Sequence, residues 1–160
     1  MNVTIRADGN FEAKRLKVAT TGNTGNAFLD IDVGGDIDLT SANVAVTGKD
    51  KKTYVHIEAG GDLVAKKSNL GVHTIKAKAE QLTLAASSGD ITLQGARLKA
   101  DQIDLETCNS AGGCSEDPHL DLRKVKFTYS TDSFCIDGED IEDVEDVTIQ
   151  TAGKKPLNGC

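Results

Sequence analysis

Four glycines, Gly9, Gly35, Gly61 and Gly89, each open the same stretch of apolar and polar residues, at spacings of 26, 26 and 28. Two residues beyond them stand Phe11, Ile37, Leu63 and Ile91; four beyond, Ala13, Leu39, Ala65 and Leu93. Seven beyond come Leu16, Ala42, Ser68 and Ala96, and nine beyond, Val18, Val44, Leu70 and Leu98. Ahead of the first three glycines run Val3, Ile5, Ala7; Leu29, Ile31, Val33; and Val55, Ile57, Ala59. A fixed period of this length is the signature of a repeat architecture.

Within each repeat the apolar residues alternate with polar ones, the period of a strand and not of a helix. A meander of hairpins has no reason to hold identical columns at constant spacing. A coil of strands does, because each rung stacks on the one before at about 4.8 Å. The sequence therefore predicts an all-β, single-stranded parallel β-helix, right-handed like other parallel crossovers, with three short strands per rung. The expected core is a narrow aliphatic column, with Ile5, Ile31 and Ile57 in register. Such a core suits a chain with no Trp and only 4% aromatic residues. One domain is expected over 1–160: regular rungs over 1–107, then a loop and the last rungs over 108–160. Five to six rungs make a rod of roughly 25–30 Å.

The Gly-Asp corner is read as a sharp bend in which Gly supplies positive φ and Asx accepts backbone N–H groups. Asn10, Asp36, Asp62 and Asp90 share that column, and Asn43 and Asn69 suggest a short asparagine ladder. Three stacked carboxylates repel unless each is bonded to its turn or a cation bridges them. Asp36, Asp62 and Asp90 are thus weak calcium candidates, with plain turn residues the preferred reading. No metal site and no cofactor is otherwise expected. The acidic run "DGEDIEDVED" (137–146) reads as the solvated face of a strand.

All four cysteines fall in the C-terminal third. An even number there suggests disulfides and an oxidising compartment, with Cys108–Cys114 and Cys135–Cys160 the expected pairs among three connectivities. His56, His73 and His119 are scattered, and no nucleophile–base spacing is visible, so no catalytic residue is assigned. A net charge of −7 argues against nucleic acid, which needs clustered Lys and Arg. No apolar run reaches membrane-spanning length, and the N-terminus shows no signal sequence.

The segment "AEQLTLAASSGDITLQGARLKADQIDLET" (79–107) resembles the repeats of bacterial filamentous-haemagglutinin-type exoproteins and related adhesin β-helices. The shared feature is a "GDI-x-L" turn and strand followed by "A-x-L-x-A", within a region of roughly residues 28–107. The resemblance implies a secreted or surface-displayed, non-catalytic rod used in adhesion or presentation. It carries over no functional residue. The expected partners are the chain itself or another chain through rung ends, and a host or cell-surface glycan or protein. Val3 and Ile5 form the assembly edge, because the first rung starts there with nothing ahead of it to cap its strands. The alternative reading is a carbohydrate-active β-helix enzyme or glycan-binding module.

Overall fold

The computed structural model describes residues 2–22, 26–49, 52–74, 80–107, 119–129, 134–137 and 147–151. Every regular element among them is a β-strand, and every strand pairing is parallel. The first rung is β1 (Asn2–Ala7), β2 (Phe11–Glu12) and β3 (Lys17–Gly22). The second is β4 (Ala27–Val33), β5 (Ile37–Asp38) and β6 (Asn43–Gly48), and the third β7 (Thr53–Ala59), β8 (Leu63–Val64) and β9 (Asn69–Thr74). The fourth is β10 (Glu80–Ala86), β11 (Ile91–Gln94) and β12 (Arg97–Lys99). Then β13 (Gln102–Thr107), β14 (Leu120–Arg123), β15 (Lys126–Tyr129), β16 (Phe134–Asp137) and β17 (Thr148–Thr151) extend the stack.

Like strands stack on like into three sheets. The first runs β1-β4-β7-β10-β13-β16, the second β2-β5-β8-β11-β14, the third β3-β6-β9-β12-β15-β17. The chain is a three-sided β-solenoid, as the columns predict. Ile5 pairs with Ile31 and Ile31 with Ile57, while Val18, Val44, Leu70, Leu98 and Phe127 stack in the third sheet. Leu82 and Leu84 stand over Val55 and Ile57. The Gly-Asp corner of the fourth rung holds one more residue than those below it, so Ile91 still stacks on Leu63. Residues 108–118 separate β13 from β14, yet β14 re-enters the second sheet in register, Leu120 on Ile91.

Side chains of these columns fill the interior. Leu29, Ile31, Ile57, Leu63, Leu84, Ile91, Leu105 and Phe127 are fully buried. Burial of each such side chain contributes about 1.5–3 kcal/mol, which is how a core without Trp holds. The first rung differs: Val3, Ile5, Ala7, Phe11, Ala13, Leu16 and Val18 are only partly buried.

Candidate functional site

The two sharp corners of each rung obey different rules, and the Gly-Asp corner corrects one expectation. Its glycines do not supply positive φ; among the described glycines only Gly95, at the other corner, has one. They supply room. Asn10 Oδ1 accepts the Asp36 backbone N–H at 3.0 Å, and Asp36 Oδ1 accepts that of Asp62 at 3.0 Å. Asp62 then accepts Asp90 at 2.9 Å, and Asp90 accepts His119 at 2.8 Å. Each acceptor reaches past the glycine of the rung above. A Cβ on Gly35, Gly61 or Gly89 would fall on the Oδ1 of Asn10, Asp36 or Asp62. Gly9 belongs to the first rung and would meet nothing.

This ladder accounts for Asp36, Asp62 and Asp90 as turn residues. One oxygen of each carboxylate is committed to an amide, and Asp36 Oδ2 also accepts Asn10 Nδ2 at 3.2 Å. Among the described residues, no group of three or more His, Cys, Asp or Glu side chains gathers to hold a metal ion. Asn43 and Asn69 pair in register and are exposed, with no hydrogen bond between their side chains among the described residues.

The second corner, between the second and third sheets, is where the chain turns left-handed. Arg15, Ser41, Lys67, Gly95 and Lys124 occupy equivalent places with φ of 63°, 61°, 53°, 64° and 55°. In the first two rungs Leu16 N donates to Ala13 O and Ala42 N to Leu39 O, both at 2.9 Å. Such four-residue turns with positive φ at the third residue need the φ of a type II turn. In the third rung Ser68 Oγ donates to Ala65 O at 3.0 Å. Residue chemistry here is too varied for the sequence to reveal the column; only Gly95 signals it.

Between these corners Asp38 caps the second sheet. Its Oδ1 accepts Thr40 N at 2.8 Å, and Lys14 Nζ lies 3.6 Å from its other oxygen and 2.7 Å from Glu12. Burial pushes the Asp38 carboxyl up, but hydrogen bonds from Thr40 and the Lys14 charge outweigh it and hold the group below its ordinary value. Lys14 is raised, first by its hydrogen bond to Glu12.

The outer faces of the sheets carry the remaining surface chemistry. On the first sheet Phe28 and Tyr54 stack with ring centroids 4.0 Å apart. Beside them a depression of about 290 Å³ is lined by Asp30, Tyr54, His56, Gln81 and Thr83. His56 Nε2 lies 3.3 Å from Glu58. Thr83, which alternation places outward, is nevertheless buried. On the third sheet a shallow depression of about 440 Å³ runs across four rungs, with Ala45 and Gly71 in its floor and Arg97, Lys99 and Lys126 at one end.

Val3 and Ile5 lie on β1, the terminal strand of the first sheet; β2 and β3 are likewise terminal in theirs. The three edges face the same end of the solenoid, and the partly buried apolar residues of the first rung fill the space between them. Cys108, Cys114 and Cys160 lie outside the described residues, so both expected disulfides do too. The backbone of Cys135 pairs with Asp104 in the first sheet. Most of the acidic run, residues 138–146, also lies outside the described residues.

No helix of the described residues is long and apolar enough to cross a membrane. No protein-family model, curated protein or solved structure matches the chain.

Proposed function

We propose that the chain is a non-catalytic structural module of a secreted or surface β-helix, and that it associates end to end through its first rung. The observation that carries this reading is the first rung itself. Among the described residues no strand pairs with the outer edges of β1, β2 and β3, and the apolar side chains between them, Val3, Ile5, Phe11 and Val18, are only partly buried. Edges of this kind recruit strands, and an apolar centre adds a driving force at the same face. The occupant is a second copy, because β14, β16 and β17, the last described strands at the other end, belong to the same three sheets. Stacking one copy on another continues all three ladders. The likeness of residues 79–107 to adhesin β-helix repeats supports a rod presented outside the cell.

Sedimentation across a concentration series tests the proposal. The wild type is expected to associate, and Ile5→Lys to weaken this at least about tenfold, since charge on an apolar contact costs more than 1.4 kcal/mol. Thermal unfolding of the variant should stay close to wild type, because Ile5 belongs to the terminal rung. A wild type that stays monomeric at high concentration overturns the end-to-end reading. Release of reducing or unsaturated sugars from a polysaccharide, lost on changing Asp30 or His56, replaces it with an enzyme.

A further inference from the structure

The outer face of the third sheet is basic in a chain whose net charge is −7. Lys17, Arg97, Lys99 and Lys126 project from it, and Arg15, Lys67 and Lys124 stand on the left-handed corner at its margin. No Asp or Glu occupies an outward position on β3, β6, β9, β12 or β15. Arg97, Lys99 and Lys126 have no ion-pair partner among the described residues. The first sheet carries the opposite sign. Asp30, Asp32 and Glu58 face outward in its second and third rungs, beside the Phe28–Tyr54 stack, and among the described residues Arg6 pairs with Asp32.

We infer that the acidic face of the first sheet docks on the basic face of the third sheet of a second copy, side by side. Two features select another copy as the occupant. The charges are complementary and both faces belong to one molecule, so every copy brings both halves of the contact. The rung spacing of the two faces is also identical by construction, about 4.8 Å, so charges that repeat along one axis stay in step with those on the other. An offset of two rungs sets the acids of rungs two and three against the cations of rungs four and five. The shallow depression of about 440 Å³ that ends at those cations suits a broad sheet face better than an enclosed small molecule. The contact joins unlike surfaces, so it is heterologous and leaves one free face of each kind on every dimer. It is independent of the end-to-end contact.

The experiment uses the Ile5→Lys background, which silences the rung end and leaves both side faces intact. Sedimentation is compared at about 0.02 M and about 0.5 M salt, over which screening shortens from roughly 20 Å to about 4 Å. Association is expected at low salt and is expected to fall at least about tenfold at high salt. The pair Lys99→Glu with Lys126→Glu, and separately Asp30→Lys with Asp32→Lys, should each be monomeric at low salt with thermal unfolding near wild type. Mixing the two charge-reversed proteins should restore association, which a merely damaged fold cannot do. Salt-independent association, or failure of the mixture to associate, overturns the inference. So does a low-salt monomer that binds polygalacturonate and loses this with the Lys99 and Lys126 reversals; that result gives the basic face to a polyanion. Loss of end-to-end association alone leaves these outcomes unchanged.

Discussion

Gly60 and Gly61 are neighbours, yet a methyl group meets a different obstacle at each. At Gly61 the Cβ would fall on Asp36 Oδ1, which can swing away at the expense of its bond to Asp62 N. At Gly60 it would fall on the Gly34 carbonyl oxygen, part of the backbone of the rung below. Gly61→Ala is therefore expected to cost about 1–3 kcal/mol, and Gly60→Ala more. In a double-mutant cycle measured by urea unfolding, Asp36→Ala should remove at least about 1 kcal/mol of the Gly61→Ala penalty and none of the Gly60→Ala penalty. Equal coupling to both glycines would contradict the ladder. The left-handed column makes a second prediction at this scale. An L-residue there costs roughly 1–2 kcal/mol in an unsupported left-handed turn, so Lys67→Gly should stabilise by up to about 1 kcal/mol and Gly95→Ala should destabilise by a similar amount.

Among the elements, the second sheet is the one held by short strands, and it leans on its caps. β2, β5 and β8 contain two residues each, so Asp38 and its bond to Thr40 N do part of the work of a longer ladder. The Asp38 carboxyl is lowered on folding, so its contribution is fully present above the unfolded value near 3.9 and is lost as pH falls through the lower folded value. Asp38→Asn should flatten the acid limb of the stability curve below about pH 4 and change stability by no more than about 1 kcal/mol at neutral pH. Acid unfolding of the two proteins, followed by circular dichroism, checks both parts. In the first sheet, Ile57→Asp puts a carboxylate between Ile31 and Leu84 with no polar partner in the column. It should cost roughly 4 kcal/mol or more and unfold the protein at room temperature. The strand columns were legible in the sequence because burial imposes one chemistry on every rung, as at Ile5, Ile31 and Ile57. The corners were less so. The Gly-Asp column was visible, but its glycines answer to a neighbouring rung's side chain, which no single repeat displays. His119 completes that column and was hidden by the insertion at 108–118.

Among the described residues, the solenoid presents sides that carry charge and, at the first rung, strand edges with no described strand beside them. Val3 and Ile5 could be placed on the inward side of the first strand from alternation alone, and among the described residues both are only partly buried. The opposed acidic and basic faces could not, because outward positions carry no burial constraint and their residues look unrelated until the sheets are stacked. Arg97, Lys99 and Lys126 come from two rungs and meet only in the third sheet. We place docking of a second copy at the first rung, and amide hydrogen exchange over a concentration series checks it. Amides of residues 2–22 are expected to gain at least about tenfold protection as concentration rises, a gain of at least about 1.4 kcal/mol. Ile5→Lys should abolish the gain, while the amides of β7 and β10 stay unchanged throughout. Exchange of residues 2–22 that is the same at every concentration, in a protein that otherwise associates, would contradict it.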